Sequence, residues 1–160
     1  MKTYQIDSIK NYLDKSKEKE FNDIVKEIYL MTEHLNKRYP GYKEWFYTKQ
    51  LQGCKEKNRN IIFIRNNKNK IIAISSLKKE EEKKICTFFV DDEHRRQGIG
   101  DILIEESIKY LETTKPLITI NEDKLPMFKK IIEKYNWQLT EILFDAYTEG
   151  IREFCYNGYL

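Results

Sequence analysis

Two glycines separated by one residue, Gly98 and Gly100, follow a pair of arginines in the stretch VDDEHRRQGIG (residues 90–100). The first amides of a helix have no partner inside the helix and carry the positive end of its dipole. Because glycine has no side chain, an anion can approach such amides closely, and Arg95 and Arg96 add positive charge beside them. The stretch therefore predicts a pyrophosphate site at the start of a helix, with a plain strand-to-helix turn as the alternative.

Other patterns for phosphate and metal binding do not fit this sequence. A dinucleotide fingerprint G-x-G-x-x-G requires glycine at position 103, where the chain has Leu103, and no G-K-[ST] follows as a P-loop requires. The three cysteines, Cys54, Cys86 and Cys155, are far apart and form no C-x-x-C pair, so we expect reduced thiols and no metal site. Neither a nicotinamide cofactor nor a nucleoside triphosphate is indicated.

Composition favours a globular domain in the cytoplasm. The 160 residues are 40% hydrophobic and 34% charged. No apolar run approaches the ~20 residues of a membrane helix, and the N-terminus lacks the apolar core of a signal peptide, so we expect no membrane contact. The net charge of +3 comes from acidic and basic residues that are interspersed rather than gathered on one stripe. We therefore expect no nucleic-acid partner, whose binding would be steeply salt-sensitive.

The spacing of apolar residues predicts helices and strands around the glycine loop. Helical spacing predicts a helix within residues 15–38 and a short aromatic one in GYKEWFYTKQL (41–51). Apolar, β-branched runs bounded by turns predict the remaining strands. These strands are NIIFIR (60–65), IIAISSL (71–77), KICTFFV (84–90), LITIN (117–121), QLTEILF (138–144) and REFCYN (152–157). One further helix is predicted over residues 98–113, and another begins near Pro126. The resulting order, α-α-β-β-β-α-β-α-β-β, implies a mixed sheet in which 84–90 is central.

The segment FFVDDEHRRQGIGDILIEESIKYL (88–111) resembles the acetyl-CoA motif of the GNAT N-acetyltransferase superfamily. That motif reads R/Q-x-x-G-x-G/A after a strand, and Arg95, Gly98 and Gly100 match it. The element order is also similar, so the resemblance covers roughly residues 15–157. It implies an α/β (α+β) fold of the GNAT-like acyl-CoA N-acyltransferase type. Such a fold has a central mixed sheet of about six to seven strands with helices on both faces, and we expect one domain over residues 1–160.

The resemblance also implies where acetyl-CoA binds. Two parallel strands of this fold splay apart to hold the thioester, here the strands ending at Val90 and Asn121. The Asn121 side chain then either contacts the cofactor or caps the following helix. The implied ligands of the pantetheine arm are backbone groups of Phe88, Phe89 and Val90, and those of the pyrophosphate are amides of Arg95, Arg96, Gln97, Gly98, Ile99, Gly100 and Asp101.

Acetyl transfer to an amine requires a neutral amine, a polarised carbonyl and a protonated leaving group. A strand amide near Phe89 or Val90 could polarise the carbonyl. The usual tyrosine acid of the family falls at Phe128 or Ile132, neither of which carries a proton. Tyr135 is the candidate replacement, although a tyrosine at such a position commonly packs with its hydroxyl at the surface.

For the other candidate site residues, a structural role is at least as well supported as a functional one. These candidates are His94 and the acids Asp91, Asp92 and Glu93 as bases, Cys86, His34, and the aromatic residues Tyr39, Tyr42, Trp45, Phe46 and Tyr47. The aromatic set lies where this fold covers the acceptor, and we favour packing of the helices as its role.

We therefore expect an N-acetyltransferase that transfers the acetyl group of acetyl-CoA directly to a primary amine of a small molecule, peptide or protein. The alternative is a non-catalytic acyl-CoA-binding or regulatory module of the same fold. A homodimer is compatible with either.

Overall fold

A computed structural model describes residues 3–56 and 58–160. In these two ranges, seven strands and five α-helices are joined by short 3-10 segments and by one π-helical segment, Phe46–Gln50. The strands are β1 (Gln5–Ser8), β2 (Arg59–Arg65), β3 (Ile71–Lys79), β4 (Lys83–Val90), β5 (Ile118–Asn121), β6 (Leu139–Phe144) and β7 (Arg152–Tyr156). The helices are α1 (Glu18–Thr32), α2 (Tyr42–Trp45), α3 (Leu51–Lys55), α4 (Ile99–Leu111) and α5 (Leu125–Lys134).

The strands form two antiparallel ladders that meet at one point. The first ladder has the order β1-β2-β3-β4 and the second has the order β5-β7-β6. A parallel bridge between Lys84 and Leu117 joins them, with the Ile85 amide donating to the Leu117 carbonyl at 2.9 Å. The predicted mixed sheet of about six to seven strands is thus confirmed. The strand expected to be central, β4, has a full partner on one side and touches β5 only at its beginning.

The hairpin β2–β3 shows why the sequence prediction of strands succeeded. The Asn66 side chain accepts hydrogen bonds from the amides of Lys68 and Lys70, both at 3.0 Å. Asn69 adopts the left-handed conformation with φ of 63°, which asparagine tolerates better than most residues. Strand β1 was not predicted, because four residues of sequence QIDS carry no recognisable alternation.

Helices cover both faces of the sheet, as predicted. On one face, α4 and α5 bury a cluster that includes Leu103, Ile120 and Trp137. On the other face, α1 to α3 pack against residues such as Phe63 and Ile74. The side chains of β4 alternate between these layers, so β4 lies at the junction of the two cores where its partner strand departs.

Candidate active site

The gap between β4 and β5 is the feature that positions the candidate site. The Asp91 amide donates to the Ile72 carbonyl at 2.8 Å, in register with Ala73 opposite Val90. Hydrogen-bonded and non-hydrogen-bonded pairs alternate in an antiparallel ladder. The amide of Phe89 therefore faces β3, whereas the amides of Phe88 and Val90 face the gap. Of the two residues proposed to polarise a carbonyl, Val90 has its amide on the open side.

A β-bulge sets this alternation. Ser76 pairs with Thr87 and Leu77 pairs with Ile85, so Cys86 is the extra residue on β4. Bulges commonly lie next to active sites and re-aim the strand. Burial raises the pKa of the Cys86 thiol, which disfavours the nucleophilic thiolate. This environment supports the interpretation of Cys86 as a structural residue.

The loop after β4 turns the chain into α4 through two left-handed residues. A 3-10 turn at Asp92–His94 is followed by Arg96 with φ of 63° and Gly98 with φ of 80°. Gly98 occupies the N-cap of α4, and its carbonyl accepts the amide of Ile102 at 3.2 Å. The predicted helix of residues 98–113 is confirmed with its start at Ile99.

The start of α4 has the properties that an anion site requires. Within the described chain, the amides of Ile99, Gly100 and Asp101 donate to no backbone or side-chain acceptor. A Cβ atom built on Gly98 or on Gly100 would meet no heavy atom within 4 Å. The two glycines therefore leave open space in front of unpaired amides, and the residues present fit a pyrophosphate.

Of the two loop arginines, Arg95 is held by contacts within the loop and Arg96 is exposed. Arg95 donates from Nε to the Val90 carbonyl at 3.1 Å and pairs with Asp92 at 2.8 Å. Gln97 accepts a hydrogen bond from the Tyr4 hydroxyl at 2.9 Å, and Arg96 is exposed. The Val90 carbonyl faces the gap together with the Val90 amide, so the Arg95 guanidinium lies at the mouth of the gap.

Asn121 caps the chain at the end of β5. Its Oδ1 accepts the Lys124 amide at 3.0 Å and its Nδ2 donates to the Tyr39 hydroxyl at 3.4 Å. The N-cap of α5 is Lys124 rather than Asn121, so the Asn121 side chain closes the turn that leads into the helix. Lys124 itself was not singled out from the sequence. Burial and the nearby Arg95 lower the pKa of Lys124. Lys124 is therefore a second cation close to the loop.

The position expected for the tyrosine acid and the candidate replacement, Tyr135, lie in different surroundings. Phe128 is buried on α5 with its ring 5.3 Å from that of Phe88. An apolar ring therefore borders β4 at one of the two positions, Phe128 and Ile132, where the tyrosine was expected. Tyr135 follows the last residue of α5 and stacks on Trp137 at 6.4 Å. Trp137 donates to the Thr114 carbonyl at 2.8 Å, beyond the C-terminal end of α4. Because Tyr135 is the C-cap of α5, it lies about one length of that helix, roughly 15 Å, from the end of α5 next to Asn121.

The remaining sequence candidates are mostly held in structural contacts. His94 lies 3.3 Å from the Asp91 carboxylate, and the exposed His34 lies 4.9 Å from the Phe89 ring. Within the aromatic segment, Tyr42 and Phe46 are buried in the α1–α3 layer, in agreement with the packing role that we favoured. Tyr39 is different, because its hydroxyl points to Asn121 at the end of β5.

Four side chains on the α1 side of the second ladder form what we call the Glu153 cluster: Tyr39, Asn121, Tyr147 and Glu153. The rings of Tyr39 and Tyr147 meet edge to face at 5.1 Å. Glu153 is 1% exposed, and neither of its carboxylate oxygens has a hydrogen-bond partner among the described residues. The Tyr39 hydroxyl is close enough to this carboxylate to lower its pKa, although the two make no hydrogen bond by the distance and angle limits.

Burial dominates the electrostatics of the cluster. It raises the pKa of Glu153, whereas Tyr39 and the positive charge of Arg38 oppose the rise. Burial also raises the pKa of Tyr39 to about 12, and the Glu153 charge adds to the rise. Neither Glu153 nor Tyr147 was predicted from the sequence as a site residue. The only signal for Glu153 was a single acidic residue sharing a strand face with Cys155 in REFCYN.

The described residues contain neither a candidate metal site nor a membrane-spanning helix. Over residues 3–56 and 58–160, no group of three His, Cys, Asp or Glu side chains could hold a metal ion. No helix in the same ranges is long and apolar enough to cross a membrane.

The chain belongs to the acetyltransferase (GNAT) domain family, which it matches over residues 14–141. This match covers the glycine loop and both strands that border the gap. It confirms the predicted family. Among curated proteins, none shows significant sequence similarity to the chain.

Solved structures share the fold at low sequence identity. The ribosomal-protein-S18-alanine N-acetyltransferase from Escherichia coli superposes with a TM-score of 0.66 at 15% identity, covering 96% of this chain and 92% of that one. An acetyltransferase assigned to the GNAT family from Desulfovibrio desulfuricans has a TM-score of 0.68 at 10% identity, with coverages of 96% and 97%.

A Bacillus anthracis protein assigned as a streptothricin acetyltransferase was solved in complex with acetyl coenzyme A. It superposes with a TM-score of 0.52 at 20% identity over 62% of this chain. The present chain spans only 61% of the length of that protein. These similarities establish the fold and leave the acceptor open.

Proposed function

We propose that the chain, as a single domain over residues 1–160, transfers the acetyl group of acetyl-CoA directly to a primary amine of a small molecule, peptide or protein. The observation that carries this proposal is the position of the α4 amides. Three unpaired amides, of Ile99, Gly100 and Asp101, lie beside the gap where β4 and β5 diverge. One ligand with an anionic end and an extended arm can use both features.

Each part of acetyl-CoA has proposed partners in the chain. The pyrophosphate binds the loop amides from Arg96 to Asp101, with Lys124 as an added cation. The Arg95 amide, also expected to bind it, already donates to the Asp92 carbonyl at 3.4 Å. The pantetheine arm lies along β4, where Phe88 and Val90 offer backbone groups toward the gap. Asn121 borders the opposite wall of the gap. The acetyl group carries the electrophilic carbonyl carbon that the amine attacks.

The residues at the gap act mainly through position and polarisation. The Val90 amide donates to the carbonyl oxygen as negative charge develops on it. Holding the amine and the thioester together supplies a further share of the rate enhancement. Neither Phe128 nor Ile132 can donate a proton, so we propose that the sulfur leaves without a tyrosine acid and receives its proton from the acceptor nitrogen or from water.

Thermal unfolding with acetyl-CoA tests the binding part of this proposal. A ligand that binds only the folded state at 100 times its Kd adds about 2.7 kcal/mol to stability, a shift of roughly 5–10 °C for a chain of this size. We expect that shift with acetyl-CoA and little shift with ATP. An unchanged Tm at saturating acetyl-CoA would show that the loop is only a turn.

Release of free thiol tests the catalytic part. An acetyltransferase releases the coenzyme thiol from acetyl-CoA in proportion to added primary amine. A non-catalytic binding module would show the thermal shift without amine-dependent thiol release.

A further inference from the structure

Glu153 is a buried charge that the fold does not satisfy. Its carboxylate is 1% exposed and unpartnered within the described residues. Removing an ionised carboxylate from water without a partner is costly, and natural proteins rarely leave such a group in a structural position. A ligand that supplies the missing partner removes the cost when it binds.

The position of Glu153 connects it to the gap. Glu153 on β7 lies directly opposite Asn121 on β5 in the antiparallel register, so their Cα atoms are about 5 Å apart. Asn121 ends the strand that forms one wall of the gap. The Glu153 side chain is therefore about one strand spacing from the place where the thioester is expected.

Resting on the proposed acetyl transfer, we propose that Glu153 binds the ammonium group of an unhindered primary alkylamine acceptor and then removes one of its protons. The rings of Tyr39 and Tyr147 contact each other, and the Glu153 charge acts on the pKa of both hydroxyls. Aromatic rings close to a carboxylate are favourable surfaces for an ammonium group. The charge of the site is also suitable for a cation. Arg38, the nearest cation, is already paired with Asp123 at 2.9 Å.

The proposed step is balanced in protons and bonds. Glu153 takes one proton from the ammonium group, which leaves a neutral amine and a protonated carboxyl. The nitrogen lone pair forms the C–N bond as the C–S bond breaks, and the electron pair of that bond goes to sulfur. The second nitrogen proton passes to the sulfur, and Glu153 afterwards returns its proton to solvent.

Arg38 supplies the competing explanation. Its Nη1 is also buried without a partner among residues 3–56 and 58–160, and a small side-chain movement could join it to Glu153 in an internal ion pair. These explanations predict opposite effects on stability. Breaking an internal buried pair destabilises a protein strongly, whereas neutralising an unpartnered carboxylate does not.

The experiment compares Glu153→Gln with Glu133→Gln, which removes an exposed carboxylate on α5. The probe is n-butylamine, used as acceptor with acetyl-CoA and as an unreactive ligand with CoA. We expect Glu153→Gln to lower kcat/KM for n-butylamine about 100-fold or more, with an unchanged thermal shift by acetyl-CoA. The same change should remove both the acid limb of the pH profile and the stabilisation of the CoA complex by n-butylammonium, and Glu133→Gln should alter neither.

The stability of the variant provides the second readout. Because burial raises the pKa of Glu153, its ionised form is disfavoured in the folded state, so its contribution to stability is present at low pH and lost as pH rises through the folded pKa. Glu153→Gln should therefore be at least as stable as the wild type at pH 7, and any advantage should vanish as pH falls toward the ordinary pKa of a glutamic acid. Among the described residues, the other charged or titratable groups on the side of Glu153 are Asp123, Tyr39, Tyr147, Arg38 and Cys155, and they are unchanged in the variant.

Several results would contradict the proposed role of Glu153 and leave the proposed binding of acetyl-CoA unaffected. One is kcat/KM for Glu153→Gln within threefold of the Glu133→Gln value. Another is a clear loss of stability at pH 7, which would assign Glu153 to an ion pair with Arg38. A third is a wild-type protein that is stabilised by acetyl-CoA but neither acetylates nor binds n-butylamine. Absence of the acetyl-CoA shift would instead contradict the proposed function itself.

Discussion

The glycine loop and the Glu153 cluster differ in how the chain builds them. The loop is one continuous stretch, residues 90–101, and it offers backbone amides and open space. The cluster is assembled from distant segments, since Tyr39 and Asn121 are 82 positions apart, and it offers a buried side chain. A site made of backbone is determined by local conformation, whereas a site made of side chains depends on the complete tertiary structure.

The strongest test of this contrast uses the two glycines separately. Gly98 has φ of 80°, so a branched side chain there is strained whatever the space around it. Gly100 lies in the helix without positive φ and faces open space, so valine should be tolerated by the fold. We expect Gly100→Val to lower acetyl-CoA affinity at least 100-fold with Tm nearly unchanged, because its side chain occupies the space in front of the α4 amides. Binding is measured by the acetyl-CoA thermal shift and by titration calorimetry.

Two matched variants separate binding from folding. Gly98→Val should lose binding and also about 1–2 kcal/mol of stability, from the left-handed backbone. Gly100→Ala should gain roughly 0.5–1 kcal/mol from helix propensity and show a smaller loss of affinity than valine. Full acetyl-CoA affinity in Gly100→Val would exclude the α4 amides as the pyrophosphate site.

An intermediate effect is expected from Tyr39→Phe in the Glu153 cluster. The Tyr39 hydroxyl lowers the pKa of Glu153, against the rise caused by burial. Removing the hydroxyl should raise the Glu153 pKa further and move the acid limb of kcat/KM to higher pH, with a loss of several-fold on that limb and little change on the plateau. The pH profile with n-butylamine measures the shift, and Tyr159→Phe at the exposed C-terminus serves as the control. If the acid limb stays in place or moves to lower pH, the Tyr39 hydroxyl does not lower the pKa of Glu153.

The sequence revealed most of the fold and the backbone half of the site. Alternation in IIAISSL and the helical spacing after Gly98 are local patterns, and burial in this structure follows them. The gap between β4 and β5 could be anticipated only through family resemblance, because nothing local says where two strands diverge. Glu153 was missed since a single glutamate in a strand gives no sign of which layer covers it.

The position of Tyr135 could not be predicted from its place in the sequence either. Counting along the chain placed it near the expected acid, but one additional helical turn in α5 carries a residue 5.4 Å along the axis. In the structure Tyr135 lies past the end of α5 against Trp137. Distance along the sequence was therefore a poor guide to distance from the loop.

The smallest expected effect is that of Tyr135→Phe. The ring and its stacking on Trp137 are retained in this variant. The hydroxyl that is lost belongs to the C-cap of α5, roughly 15 Å from the end of that helix next to Asn121. We expect kcat for n-butylamine, measured by thiol release, to stay within about twofold of the wild type, with the same acetyl-CoA shift. A tenfold fall in kcat with unchanged Tm and unchanged acetyl-CoA binding would identify Tyr135 as the missing acid. Since only a large movement of α5 could bring that hydroxyl to the departing sulfur, such a result would also require a different arrangement of α5 during turnover.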